Sequence, residues 1–522
     1  MQRSTCKLNR SRCAGRRSAA SALVLGVVFF AATAWAKDPR PNVLFIMSDD
    51  HTTQAIGAYG GRLAPLNPTP TLDRMASEGM RFDRVFCHNA ICTPSRANIM
   101  TGQYSMRNEV YDLRGSLPEE QQYLAVEMKR AGYETAMIGK WHLKEEPAAF
   151  DYYCVLPGQG DYHDPQFRVR GRNPWPENTV QKTGHSSDVI TDVSLAWLRQ
   201  ARDRAKPFFL MHHFKAPHDM FEHAARYDAY LEDVSIPEPA NMWDRPDGSI
   251  GSRDMGSGVS RNSQVWGMGR RLGVDENLAD PHFGQTVYQA YLKRYLRCVK
   301  GVDDNLKRLL DYLAETGELE NTIILYTGDQ GFFLGEHDLI DKRWMYEEAM
   351  RMPLIVRWPT QIRGGTRNDW LINNTDFAPT LLELAGVEST PNYMQGRSFA
   401  GALRGEARPT DWRTATYYRY WMHLAHNLRV PAHFGIRTDR YKLIFFYGAN
   451  RVDAPAKQTP AAWELYDLKT DPHEMHNVYG DPKYDAMVRL LKTRLREVRK
   501  ELDETDDNFP HIQRITERSW DD

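Results

Sequence analysis

The sequence predicts an α/β fold: a mostly parallel central sheet with helices on both faces, followed by a smaller C-terminal antiparallel sheet with a helix. Three observations predict it. Short apolar runs at 42–47 (NVLFIM), 134–138 (ETAMI), 208–214 (FFLMHHF) and 322–326 (TIILY) read as strands buried on both faces. Amphipathic patterns at 123–131, 187–202 and 288–315 lie between them as helices, and strands alternating with helices build a parallel sheet. Near residue 395 the pattern changes to short antiparallel strands at 414–420, 434–438, 441–446 and 463–467. A helix at 484–502 then carries Met487, Leu491, Leu495, Val498 and Leu502 as one stripe, which packs on the small sheet. The expected division is an α/β domain at 37–394 and a C-terminal subdomain at 395–522. Residues 228–280, rich in Gly, Pro, Ser and Asn, read as a long insertion over one edge of the sheet. Segments of that kind often serve as lids or binding loops.

The 522 residues are 41 % hydrophobic and 26 % charged, which suits a globular protein with ample core and excludes collagen-like, coiled-coil and disordered chains. A net charge of −1 argues against a general nucleic-acid binder. Residues 1–36 hold six basic groups and no acid, then an apolar stretch and Ala34-Trp35-Ala36, the order of a cleaved secretory signal peptide. That stretch is shorter than the ~20 residues that span a bilayer, so export (periplasmic or secreted) is favoured over a membrane anchor, and no stable membrane insertion is expected. Arg16-Arg17 lacks the flanks of a twin-arginine signal. Cys6 and Cys13 leave with the leader. The remaining Cys87, Cys92, Cys154 and Cys298 are neither a disulfide framework nor a paired zinc pattern.

In open parallel α/β sheets, ligands bind beyond the carboxyl ends of the strands. The four apolar runs lead into Ser48-Asp49-Asp50-His51, Gly139-Lys140-Trp141-His142, Lys215-Ala216-Pro217-His218 and Thr327-Gly328-Asp329-Gln330. Together these residues suggest one polar pocket. Asp49-Asp50 alone would suit a helix cap; with Asp329-Gln330 in the equivalent position they suggest a metal site. All the candidate ligand atoms are oxygens, which favours Ca²⁺, with Mg²⁺ as the alternative, over zinc.

Cys92-Thr93-Pro94-Ser95-Arg96 opens a helix that Gly102 ends. This places Cys92 just before a helix N-terminus, where the backbone dipole favours negative charge. Arg96 folds back toward the same spot. An unmodified thiol there is expected to have a lowered pKa and to act as a nucleophile; the plainer alternative is a buried structural cysteine.

Cys-x-Pro-Ser-Arg with the trailing Thr101-Gly102 resembles the signature of the type I, formylglycine-dependent sulfatases of the alkaline-phosphatase-like superfamily. The supporting motifs are Ser48-Asp49-Asp50, Gly139-Lys140-Trp141-His142, Ala216-Pro217-His218, Gly328-Asp329-Gln330-Gly331, Gly335-Glu336-His337 with Lys342, and Asp471-Pro472-His473-Glu474 with Asn477. The resemblance covers nearly all of the chain beyond the leader and implies an alkaline-phosphatase-like fold.

It further implies that a formylglycine-generating maturase oxidises Cys92, and that the hydrated aldehyde attacks sulfur through a covalent sulfo-enzyme intermediate. By the same resemblance, Asp49, Asp50, Asp329 and Gln330, with the modified Cys92, bind the divalent cation. Gln330 departs from the Asn or His often found there, yet its amide oxygen can still ligate. Arg96 would orient the diol, and Lys140 and Lys342 would neutralise sulfate oxygens. His218 would protonate the leaving alcohol and His142 would take the proton of the second hydroxyl. His212 and His213 read as core residues, while His51 and His337 are placed near the site without a role. The expected activity is sulfate monoester hydrolysis on a sulfated small molecule or glycan. Trp243, Arg245, Trp266 and Arg270 of the insertion are candidates for sugar contact. The alternatives are a phosphodiester or phosphonate monoester hydrolase of the same superfamily and a catalytically silent glycan-binding protein. Asn373-Asn374-Thr375 forms a glycosylation sequon.

Overall fold

Ten strands form the main sheet. In chain order they are β1 (Asn42–Ser48), β2 (Met80–Phe82), β3 (Glu134–Lys140), β4 (Tyr152–Leu156), β5 (Gln166–Val169), β6 (Thr179–Gln181), β7 (Phe208–Phe214), β8 (Thr322–Gly328), β9 (Leu354–Arg357) and β10 (Thr366–Asn368). The computed structural model describes residues 40–171, 173–251 and 256–521; the expected leader at 1–36, with Cys6 and Cys13, lies outside the described residues. Among the described residues no helix is long and apolar enough to cross a membrane.

The spatial order is β10-β2-β9-β8-β1-β7-β3-β4-β5-β6. The centre is parallel: β1 lies between β7 and β8, and β3 between β7 and β4. The flanks are mixed, because β9 runs antiparallel to β8 and β2, and β5 and β6 fold back antiparallel on β4. A parallel return needs a crossover of a dozen or more residues, usually helical. The 329–353 connection holds a two-stranded ribbon, a 3-10 turn and the four-residue α-helix Glu347–Met350, and β9 returns antiparallel.

The main helices are α1 (Pro70–Glu78), α2 (Cys92–Thr101), α3 (Tyr123–Arg130), α4 (Ser186–Ala196), α5 (His282–Glu315) and α6 (Phe377–Leu384). One group is α1, α4 and α5; another is α2, α3 and α6. Strand β3 touches α3 of one group and α4 of the other, so helices cover both faces of the sheet. The helix expected over 187–202 changes to a π turn at Trp197–Ala201.

The second sheet is β11 (Ala415–Tyr420), β12 (His433–Thr438), β13 (Tyr441–Phe446) and β14 (Ala462–Asp467), antiparallel throughout. Alternate residues of a strand face opposite sides. Tyr418, Tyr420, Ile444, Phe446 and Tyr466 join the core of the large sheet. Tyr417, Leu443, Phe445 and Leu465 join a second core with Leu491, Leu495 and Val498 of α7 (Asp485–Glu501), while Met487 and Leu502 lie at its margin. A short last helix, α8 (Pro510–Arg518), adds Ile512 and Ile515 to that second core.

The 228–280 segment corrects one expectation. It does not cover a sheet edge. Among the described residues its hydrogen bonds run to α5, to the 336–346 loop and to the small sheet: Gln289 accepts from the Ile236 amide, Asp338 from the Val259 and Ser260 amides, and buried Glu464 from Ser249. An open α/β sheet leaves its polar strand ends exposed, and the segment packs beside them. The Asn373 sequon is buried, with Nδ2 donating to Tyr104 and Oδ1 accepting from Thr416, so it has no surface for a glycan. Cys87, Cys92, Cys154 and Cys298 are all buried and unpaired.

Register fixes where the strand ends fall. Ser48 lies opposite both Phe214 and Gly328, and Gly139 opposite His213, so the carboxyl ends of β1, β3, β7 and β8 are level. Gly139 is required for this. Its φ is +104°, and a Cβ there would meet the His213 carbonyl oxygen at 1.9 Å. Gly139→Ala is therefore expected to lower stability by about 1–3 kcal/mol from backbone strain alone, with activity lost as Lys140 shifts. Denaturant unfolding checks this, and an unchanged midpoint would contradict it.

Candidate active site

The loops after β1 and β8 bring three carboxylates together. The Asp50 amide donates to Asp329 Oδ1 at 3.1 Å, and the Asp329 amide donates to the Ser48 carbonyl at 3.3 Å. Carboxylate oxygens of Asp49, Asp50 and Asp329 lie within 4.8 Å of one another, and all three residues are at most 1 % exposed. Such crowding needs positive charge. Arg96 donates through Nε and Nη2 to Asp329 Oδ2 at 3.1 and 3.0 Å, and Nη2 stands 3.6 Å from Asp49 Oδ1. Lys140 Nζ donates to Asp49, and Lys342 Nζ reaches both oxygens of Asp50 at 2.6 and 2.7 Å.

The three acids respond differently. Burial and Asp49 raise the pKa of Asp329. Burial raises Asp50 despite Lys342. Burial also acts to raise Asp49, but Lys140, His218 and Arg96 outweigh it and hold this carboxyl well below the usual range. Two buried oxygens in the cluster, Asp49 Oδ1 and Gln330 Oε1, accept no hydrogen bond among the described residues. Gln330 Nε2 donates to Asp50, which fixes the amide and turns its oxygen elsewhere. Four oxygen-bearing side chains, three of them acidic and two with an unused acceptor, fit a hard divalent cation.

Helix α2 presents Cys92 to this cluster. The helix starts at Cys92 itself, two residues earlier than Pro94-Ser95 suggests, and Gly102 ends it with φ +65°. Ser95 Oγ donates to the Asp329 carbonyl and accepts from Asn374 Nδ2 at 3.0 Å, tying the helix to the β8 loop. Cys92 Sγ, a carboxylate oxygen of Asp49 and a ring nitrogen of His218 fall within 4.8 Å of one another. The thiol is not acidified as the sequence suggests. Burial pushes it up to about 11, although Lys140 and Lys342 act to lower it. The desolvation of a charge 2 % exposed exceeds what the helix end and two paired lysines return. An unmodified Cys92 is thus a neutral thiol, a poor nucleophile at neutral pH.

A cleft of about 220 Å³ opens over the cluster, lined by Cys92, His218 and Lys342. His218 Nδ1 sits 2.5 Å from Asp219 Oδ1, and Nε2 is 3.8 Å from Asp50 Oδ2. Burial would raise Asp219, yet His218 beside it holds the carboxylate below its ordinary value. The His142 carbonyl accepts from Thr93 Oγ1 at 3.1 Å, and its Nδ1 is buried with no hydrogen-bond partner among the described residues. Burial, reinforced by Lys140, pushes this imidazole well below 6.5 and keeps it neutral.

The other four histidines considered from the sequence, His51, His212, His213 and His337, do not line the cleft. His51 Nδ1 bonds the Tyr326 hydroxyl, His212 bonds Ser194 at 2.8 Å, and His213 packs behind Arg96. His337 lies 3.9 Å from Glu348 and stacks near Tyr346. Of the four insertion residues considered for sugar contact, only Trp266 lines the cleft. Trp243 packs against Gly284 of α5, Arg245 stands 3.9 Å from Asp338, and Arg270 pairs with Glu276 in solvent. The Asp471-to-Asn477 motif is structural: Glu474 forms an ion pair with Lys442 at 2.6 Å, and Asn477 accepts from the Leu465 amide at 2.9 Å.

The sequence reading did not find Gln159, Asp219, Asp341, Arg343 or His426, which also line the cleft. Gln159 accepts from Lys140 Nζ and follows β4, so the strand-end rule would have found it had β4 been recognised. Asp219 follows His218 directly, while Asp341 and Arg343 flank Lys342.

The sulfatase family model matches residues 41–387, and the family described as N-sulphoglucosamine sulphohydrolase, C-terminal, matches 335–501. An N-acetylglucosamine-6-O-sulfatase of Bacteroides thetaiotaomicron is 39 % identical over 510 residues, covering 90 % of this chain and 88 % of the relative. The human N-acetylglucosamine-6-sulfatase is 28 % identical over 484 residues, covering 87 % and 81 %. A structure solved in complex with its substrate D-glucosamine-2-N,6-O-disulfate superposes with TM-score 0.80 at 38 % identity, covering 90 % of this chain and 99 % of that chain. Family match, relatives and fold agree, and the chain belongs to the sulfatase family, enzymes that hydrolyse sulfuric esters.

Proposed function

We propose that this sulfatase removes a 6-O-sulfate from a glucosamine-type sugar, with a formylglycine made from Cys92 by a maturase as its nucleophile. The observation that carries the chemistry is the meeting of Cys92, the three carboxylates and His218 at one cleft. The substrate class rests on the likeness to sulfatases named for N-acetylglucosamine 6-sulfate and to a protein solved with a sulfated glucosamine. Export in a leader-bearing precursor remains part of the reading.

When present, the hydrated aldehyde supplies a hydroxyl nucleophile, and a divalent cation, Ca²⁺ in this reading, supplies Lewis acidity at the sulfate. Asp49, Asp50, Asp329 and Gln330 would hold that cation. The chain's own groups do the rest. An ammonium has three donors; Lys140 uses two on Asp49 and Gln159, and Lys342 spans the two oxygens of Asp50, so each retains a donor for a sulfate oxygen. Arg96, fully engaged with Asp329, Asp49 and the Lys140 carbonyl, fixes the carboxylates and adds a buried positive charge beside residue 92. His218 lines the cleft with Asp219 on its Nδ1, which orients the ring and leaves Nε2 to deliver a proton to the departing alcohol. His142, held neutral by burial, is suited to accept a proton.

The following measurements test this reading. The tryptic peptide 85–96 from protein expressed with a competent maturase is expected to carry CHO in place of CH₂SH at residue 92, and Cys92→Ala is expected to abolish turnover with an unchanged unfolding midpoint. Unmodified cysteine in active enzyme would refute the nucleophile. His218→Ala should cost about 10²–10⁴-fold on a sugar sulfate, whose alcohol needs a proton, and far less on an activated aryl sulfate; equal losses would remove the proton-donor role. Chelation should lower activity and the thermal midpoint together, and added Ca²⁺ should restore both, since a cation at 100 times its Kd stabilises by about 2.7 kcal/mol. Indifference of both readouts after prolonged dialysis against chelator would exclude the cation. Faster turnover of an aryl phosphate diester or phosphonate than of any sulfate ester would favour the alternative hydrolase.

A further inference from the structure

A second and larger cavity, about 530 Å³, adjoins the cleft. Leu113 and His426 line both spaces, so the two lie side by side, with Cys92 lining the smaller one. The dividing wall is the 424–429 loop, in which Leu424, His426, Asn427 and Arg429 all have φ between 51° and 60°.

The charge of this extension is one-sided. Arg114, Arg451 and Lys457 line it against a single carboxylate, Asp112. Asp112 is occupied locally, accepting from the Arg114 amide at 2.7 Å and standing 3.9 Å from the Arg114 guanidinium. Arg451 lies over the Tyr111 ring at 4.8 Å, and neither Arg451 nor Lys457 has an acidic partner within 4.0 Å among the described residues. The turn that carries Lys457 is held in place. Buried His423 accepts from the Ala432 amide through Nδ1 at 3.1 Å and donates from Nε2 to the Lys457 carbonyl at 2.8 Å. Trp421, only 2 % exposed, forms an apolar part of the wall.

A cavity that adjoins the reaction cleft and carries cations without acidic partners has the chemistry that recognises an anionic sugar. We propose that it binds the acidic group, carboxylate or sulfate, of the sugar next to the one whose sulfate is removed. The enzyme would then work on the end of an acidic oligosaccharide in preference to a free monosaccharide. The inference rests on the sulfatase reading only in placing the sulfated sugar in the cleft.

The test uses calorimetric binding to the inactive Cys92→Ala protein. The probes are glucosamine 6-sulfate and its disaccharides with a neutral sugar, a uronic acid or a sulfated neutral sugar. At least one acidic disaccharide is expected to bind roughly tenfold more tightly than the neutral one, with the advantage shrinking as salt rises. Which of the two does so identifies carboxylate or sulfate as the ligand group. Adding Arg451→Gln and Lys457→Gln should erase that advantage. The same two changes in the Cys92 enzyme should leave monosaccharide turnover within about twofold, because exposed charges outside the cleft contribute little there. Equal affinity for neutral and acidic disaccharides, or equal loss on monosaccharide and disaccharide in the double variant, would overturn the proposal. Failure of the wild-type enzyme to release sulfate from the monosaccharide would instead sink the hydrolase reading, and the binding comparison would still decide the cavity.

Discussion

Three carboxylates buried with oxygens within 4.8 Å of one another cannot all stay ionised without compensating charge, and the rest of the site follows from this constraint. Asp49, Asp50 and Asp329 are each matched by one fixed cation, Lys140, Lys342 and Arg96 respectively. These cations arrive from three different places: the end of β3, the loop before β9 and the first turn of α2. Level strand ends are therefore not a detail of packing. A slip of one residue between β1 and β8 would turn every side chain of one strand to the opposite face and separate Asp49 from Asp329. Because the fixed charges already balance, the divalent cation proposed above would leave the site net positive, the state that attracts an anionic ester.

The same burial explains why residue 92 is unsuited to act as a cysteine. A thiolate needs solvation or an unpaired positive neighbour, and Cys92 has neither: it is 2 % exposed, and both nearby lysines are paired to carboxylates. Dipole and charge arguments drawn from the sequence point to a reactive thiol, whereas the desolvation that the fold imposes points the other way. The position suits a group that is nucleophilic without carrying a full charge in the resting state, which a hydrated aldehyde is and a thiol is not. The burial of residue 92 thus supports the proposed modification.

The central strands and the small sheet were legible because their signal is local. Runs such as NVLFIM and FFLMHHF are continuous apolar strands, and the α7 stripe repeats with helical period, so both appear in composition alone. Strands β2, β9 and β10 have three or four residues each and exist only through their partners, which a local pattern cannot convey. The site was legible for a different reason: its residues follow strand ends or the Cys92 motif. Helix α2 shows the limit of periodicity. All ten of its residues are buried, so it has no apolar stripe, and only Pro94, Gly102 and the motif mark it. Side-chain direction was not legible. Trp266 reaches the cleft while Trp243, in the same segment, turns onto α5, and no feature of composition separates them.

The small sheet also has a part in the chemistry that its position in the sequence conceals. Lys342 sits between Asp341 and Arg343, whose φ values of +83° and +92° are costly for residues with a side chain. Such a backbone persists only if its surroundings determine it. Tyr418 of β11 donates to the Arg343 carbonyl at 2.6 Å, Arg343 Nε donates to Asp341 at 2.6 Å, and Arg343 Nη1 stands 3.4 Å from the Tyr420 hydroxyl. Two residues of one β11 face thus brace the turn that aims Lys342 at Asp50, while the opposite face of the sheet rests on α7. Without the small sheet, the turn would relax toward ordinary φ values and Asp50 would lose its cation. The lysine belongs to the large sheet's loop, but its geometry is held from outside that sheet, so the two parts of the chain must fold against each other before the charge balance closes.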